Sequence, residues 1–166
     1  MTVVSSDSGA TFSDCGLYRY LLWRRWNGQL PVVNFLMLNP STATDVVSDP
    51  TVTRCIKRAK SWGYGGVIVT NIFALRSTDP QGLRQVDDPV GPRNDQAIYD
   101  AASEAHIVIC AWGEHGLYRG RATDVWGIIA APERLGKKLR CLRRNKSGQP
   151  AHPLYLPYHL RPTPFH

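Results

Sequence analysis

Three short apolar runs in this chain end in a residue that can do chemistry. Val32 to Leu38 runs into Asn39-Pro40-Ser41, Val67 to Thr70 into Asn71, and Ile107 to Ala111 into Trp112-Gly113. An amide donates and accepts hydrogen bonds at once, so Asn39 and Asn71 can each hold a water or a polar ligand edge. Late in the chain, His152 precedes Pro153. A neutral imidazole there can donate one hydrogen bond to a developing negative charge. Asp45 and Asp49 are candidate carboxylates close to Asn39. Asp49 precedes Pro50 as a helix cap would, and Asp45 is free to act as a base if Asn39 only positions substrate. Phe73 and Trp112 can each offer a stacking face. Plainer readings stand beside these: Asn39-Pro40 as a strand-ending turn, Asn71 as a loop cap, Trp112 as core and His152 as a loop-fixing residue.

The elements that must position these groups follow from patterning. Runs this short and β-branched read as buried strands of a parallel sheet, and ligands bind outside the carboxyl ends of such strands. Asn39, Asn71 and Trp112 should therefore converge on one crevice. Asp49-Pro50 opens a helix with Val52, Cys55, Ile56 and Ala59 on one face and Arg54, Lys57, Arg58 and Lys60 largely elsewhere. Gly91-Pro92 opens a second helix, with Ala97, Ile98, Ala101 and Ala102 inward. A third is expected within 122–131, stopped by Pro132. Leu135 to Leu142 reads as a fourth strand, Tyr18 to Trp26 as an edge strand, and residues 1–12 as a loose tail. The polar stretch 74–91 is a long loop at a strand end, where loops tend to be functional. Strands alternating with helices predict a single α/β domain of three layers around a small, mainly parallel sheet.

Composition narrows the function classes. The chain has 166 residues, 43% hydrophobic and 20% charged, which suits one globular domain. No apolar run approaches the ~20 residues of a membrane span, and no signal-peptide layout opens the chain, so cytoplasm is the expected compartment. Cys15, Cys55, Cys110 and Cys141 lack C-x-x-C spacing, and the histidines lack ligand spacing. Buried reduced thiols and no metal site are expected. The net charge of +7 is concentrated in Arg134 to Lys146. That block suggests a polyanion partner, nucleic acid first, with Lys138, Arg140, Arg143, Arg144 and Lys146 on its phosphates. The equal alternative is a solvated surface.

Four segments stand in order: Met37-Leu38-Asn39-Pro40-Ser41, Gly66 to Phe73, Val108 to Gly113, and His152-Pro153-Leu154. In this order they resemble the uracil-DNA glycosylase superfamily. There the first strand ends in a D-P or N-P motif, the second in a base-reading asparagine, and the third in an apolar run before W-G. A late H-P-S-like loop enters the DNA. The resemblance implies that superfamily's fold and hydrolysis of an N-glycosidic bond in DNA or a nucleotide. Asn39 would orient the water, Asn71 would read the base, and His152 would stabilise the leaving group. Phe73, Trp112 and Ser41 would line the base. Two departures stand out. Ser41 to Asp49 holds no aromatic where the superfamily usually has one. After His152-Pro153 come Leu154, Tyr155 and Leu156, of which Tyr155 or Leu156 could serve as a wedge. No cofactor is expected, and no iron–sulfur cluster. The chain more closely resembles a bacterial family known as domain of unknown function 1643, through Asn39 to Ala43, Asp49-Pro50-Thr51, Cys110 to Gly113 and His152 to Tyr155, which implies no activity. The alternatives are a non-catalytic nucleic-acid or nucleotide binder of the same fold, and an enzyme on a small nucleotide-like metabolite. A monomer is the default.

Overall fold

In a computed structural model, which describes residues 7–166, the apolar runs form the centre of one seven-stranded sheet. Strands β3 (Val32–Met37), β4 (Gly66–Asn71) and β5 (Ile107–Cys110) are buried along their whole length, as strands covered on both faces must be. Their side chains alternate between two cores. Val33, Phe35 and Met37 pack against Val52, Cys55 and Ala59 of helix α1 (Pro50–Ser61). Leu36, Val108 and Cys110 pack on the other face against Ile98 of α2 (Asn94–Glu104) and Val125 and Ile129 of α3 (Arg121–Ile129).

The sheet is mixed, which corrects the expectation of a mainly parallel one. Strands β1 (Ser8–Phe12), β2 (Arg19–Arg25), β6 (Leu139–Cys141) and β7 (Thr163–Pro164) complete the order β1-β2-β4-β3-β5-β6-β7. Helical crossovers make β3 parallel to β4 and to β5, and β5 parallel to β6. The pairs β1–β2, β2–β4 and β6–β7 are antiparallel. Residues 8–12, expected in a loose tail, are the edge strand, and β2, expected at the edge, is interior. The edge strand has little apolar character to announce it. It is seated by Gly9, where a Cβ would come within 2.2 Å of the Trp23 ring. The remainder of the expected tail, residues 1–6, lies outside the described residues. At the opposite edge, Pro164 is tolerated because an edge position need not supply a donor. The strand expected over 135–142 divides into a helical turn α4 (Glu133–Gly136), with Leu135 buried, and the short β6.

Helix α1 starts as its sequence requires. Asp49 Oδ1 accepts from the Val52 N–H at 2.9 Å and Pro50 takes the first position, where it has no hydrogen bond to lose. Arg58, expected on the outer face, is fully buried instead. Its guanidinium donates to the carbonyls of Leu156 at 2.8 Å and Pro157 at 3.2 Å. Helix α1 thereby holds the segment after His152. From β3 the chain crosses to β4 on one side, whereas from β5 it crosses to β6 on the other. The connections part at the carboxyl ends of β3 and β5, where a crevice opens between neighbouring strands. Among the described residues no helix is long and apolar enough to cross a membrane.

Candidate functional site

A cavity of about 700 Å³ lies in that crevice, within the range of small-molecule sites. It brings together Asn39, Ser41, Asn71, Trp112 and His152, which come from four separate stretches of chain. Asn39 follows β3. Its Nδ2 donates to the carbonyls of Ser77 at 2.8 Å and Pro40 at 3.1 Å. Both amide hydrogens are thus used to fix the side chain, and Oδ1 is the atom left for a water or ligand. Ser77, Thr78 and Pro80 add a wall, so the 74–91 loop does form part of the cavity.

Asn71 is the last residue of β4. Its backbone carbonyl is held by Asn94 Nδ2 at 2.8 Å, and its Oδ1 accepts from Arg19 Nη2 at 3.3 Å. Oδ1 already accepts one hydrogen bond, so the Nδ2 hydrogens are the polar atoms of Asn71 most open to a ligand.

Arg19 is the residue that sequence reasoning missed. It lies on β2, is 3% exposed, and lines the cavity. Besides Asn71 it donates to the Ala43 carbonyl at 3.2 Å, while Nε is buried with no hydrogen-bond partner. Among the described residues its guanidinium has no carboxylate within ion-pair distance. Burial lowers its pKa to about 10, with Asp49 pulling upward and Arg76 and Arg24 downward. A buried cation short of both a counterion and a hydrogen-bond partner is costly, and an anionic or carbonyl-bearing ligand would relieve that cost. The signal that could have found it was an arginine at the start of a strand later shown to be interior.

His152 is half-buried and faces the same cavity. Its Nδ1 accepts from the Leu154 N–H at 3.3 Å, which places the proton of the neutral ring on Nε2. Burial lowers its pKa, partly opposed by the charge of Asp49, so the neutral donor form prevails at neutral pH. The loop that carries it is tied to β5 by the Gly113 N–H, which donates to the Pro150 carbonyl at 2.8 Å. Gly113 adopts φ 71°, ψ −169°, a region essentially restricted to glycine.

Asp49 also lines the cavity. Only Oδ1 serves the helix cap, so Oδ2 is not required by it. Asp45, the carboxylate expected to be free for catalysis, is exposed, does not line the cavity and lies in the field of Arg24. The turn from Thr44 to Val47, closed by the Thr44 N–H donating to the Val47 carbonyl at 2.8 Å, carries it away.

Other expected residues also lie elsewhere. Phe73 is fully buried in the core beside Tyr118, with ring centres 6.0 Å apart, and offers no face to a ligand. Trp112 does reach the cavity wall, but it is 2% exposed and its Nε1 donates to Gln149 Oε1 at 2.8 Å. The basic block does not line the cavity; only Asn145 of that stretch does. Lys138 Nζ donates to the carbonyls of Ala102, Ser103 and Ala105, closing the carboxyl end of α2, where a cation suits the helix dipole. Arg140 donates to the Lys137 and Leu139 carbonyls. Arg144 donates to the His166 carbonyl at 2.6 Å and stacks on Phe165. Arg143 and Lys146 are exposed. Leu156, one expected wedge, is buried beneath α1, whereas Tyr155 is 91% exposed at the cavity mouth.

Residues 19–154 match a family described as "Protein of unknown function (DUF1643)". No curated protein and no solved structure matches the chain.

Proposed function

The chain belongs to this family, whose description assigns no activity, and we propose from the cavity itself that the protein hydrolyses an N-glycosidic bond of a nucleotide or of DNA, on a fold akin to that of the uracil-DNA glycosylases. One observation carries the reading. Asn39, Asn71 and His152, distant in sequence, share one cavity that is also lined by Arg19, held against Asn71, and by the Asp49 carboxylate.

The reaction needs opposite charges stabilised in one place. The C1′–N bond breaks and its electron pair leaves with the base, so the base becomes anionic and the sugar oxocarbenium-like. Asn71 Nδ2–H and His152 Nε2–H are donors suited to the anionic base, and Arg19 supports Asn71 with a positive charge that burial keeps strong. Asn39 Oδ1 is available to orient a water. Asp49 Oδ2 can take its proton as the oxygen adds to C1′, and the released base is then protonated from solvent. Asp49 replaces Asp45 in this role. An amide alone is no general base, so the carboxylate supplies what Asn39 lacks.

The test is release of free base from DNA and from nucleotides carrying uracil or hypoxanthine. Asn39→Ala and His152→Ala are each expected to slow release by about 10²-fold or more, the usual cost of removing one positioned polar group. Release that is unaffected by both substitutions removes this mechanism. Tight, saturable binding of nucleotide without release from any altered base identifies a binder instead.

A further inference from the structure

A second groove, of about 550 Å³, adjoins the cavity and shares Asp49, Pro50, Leu154 and Tyr155 with it. Its floor is one face of α1. Pro50, Thr53, Arg54 and Lys57 follow one another at helical spacing and all line it. Arg54 is half-committed: Nη2 donates to the Leu156 carbonyl, the guanidinium lies 4.2 Å from the Tyr158 ring centre, and Nε is buried without a partner. Lys57 is exposed. Among the described residues neither cation has a carboxylate within ion-pair distance. The groove's one carboxylate, Asp49, stands at the end shared with the cavity. An anion is therefore favoured at the Lys57 end, about 10 Å along the helix from Pro50 at 1.5 Å per residue.

We infer that this groove holds a phosphate group of the ligand whose base occupies the cavity. The inference rests on the cavity taking a base-bearing ligand. Lys57 Nζ and the free hydrogens of Arg54 are donors for phosphate oxygens, and the hydroxyls of Thr53 and Ser48 line the same groove. Tyr155 stands on the ridge between the two spaces, where an aromatic face can rest against a sugar or a neighbouring base. The phosphate contacts expected from the 134–146 block thus pass to α1.

Three probes test the groove: deoxyuridine, deoxyuridine 5′-monophosphate and a short oligothymidine strand, each titrated at several salt concentrations. Lys57→Gln changes an exposed residue, so the variant should keep the wild-type unfolding midpoint. It is expected to weaken phosphate-bearing probes about fivefold or more, to reduce the salt slope for the strand by about one, and to leave deoxyuridine binding unchanged. Dependence on Lys57 for the monophosphate indicates a free nucleotide; dependence for the strand alone indicates a nucleic-acid backbone. Binding of phosphate probes through Lys57 with no affinity for deoxyuridine keeps the groove and removes the base cavity. Three results overturn the inference: wild-type affinity and slope in both Lys57→Gln and Lys57→Glu, a larger loss in a Lys146→Gln control, or no binding of any phosphate probe at low salt.

Discussion

Replacing Arg19 by methionine separates a functional charge from a structural one. The side chain is buried and lacks a carboxylate partner, and burial lowers its pKa from the ordinary arginine value to about 10. At pH 7 the guanidinium is charged in both the folded and unfolded chain. The lowered folded value therefore appears as a penalty on the native state, on the order of 3 kcal/mol at 1.36 kcal/mol per unit. That penalty is complete below the folded value of about 10 and disappears only as the pH rises through the ordinary arginine value. Arg19→Met removes it and conserves most of the volume. It also leaves the Ala43 carbonyl and Asn71 Oδ1 without their donor, at roughly 1–3 kcal/mol each if neither finds water. The opposing effects nearly cancel, so the unfolding free energy measured in urea should change by no more than about 2 kcal/mol in either direction. Base release should nevertheless fall by about 10²-fold or more, because the positive charge behind Asn71 is gone. Ligand-induced thermal stabilisation should shrink alongside it. A loss of ~3–5 kcal/mol, typical of breaking a paired buried charge, would make Arg19 a structural residue. So would release within a few-fold of wild type in a folded variant.

Three further outcomes follow from the same geometry. His152 has a lowered pKa, so its neutral form is the working one. Its contribution to stability and to release is complete above the ordinary value of ~6.5 and is lost as the pH falls toward the folded value, so a pH–rate profile should show an acidic limb that His152→Gln abolishes. Asp49→Asn retains an oxygen for the Val52 N–H and should keep helix stability, whereas Asp49→Ala should cost ~1 kcal/mol in urea; both should slow release, and equal release by Asp49→Asn and wild type would exclude the carboxylate. Gly113→Ala should cost about 1–3 kcal/mol in chemical denaturation, because φ 71°, ψ −169° excludes a Cβ, and should also loosen the His152 loop that Gly113 ties down.

What could be read from the sequence follows from how local each signal is. The central strands declared themselves because burial on both faces needs an unbroken apolar run, and their ends then marked the crevice. The start of α1 was equally local, a cap and a proline side by side. The antiparallel additions were hidden because their seating depends on distant partners: Gly9 under Trp23, and Thr163-Pro164 beside β6. Arg19 was hidden for the same reason, since nothing near it says that its strand is interior. The local partners of the basic block were equally hidden. Lys138, Arg140 and Arg144 look like a charged surface in sequence, but each also donates to backbone carbonyls that only the fold brings within reach.

The placement of charge also argues for a reacting ligand over a merely bound one. A net charge of +7 could attract any polyanion, and it says little about chemistry. The cavity uses charge differently. The cavity's free hydrogen-bonding atoms include both donors, on Asn71, Arg19 and His152, and acceptors, on Asn39 and Asp49. A site that only held a neutral ring would need no buried guanidinium without a carboxylate partner. A bond that parts into an anion and a cation needs both kinds of group in a confined space, with the cation's cost met in the free protein before the reaction begins. Each half should matter to a different step: loss of Arg19 should weaken binding of an anionic base analogue, and loss of Asp49 should leave that binding intact while slowing release.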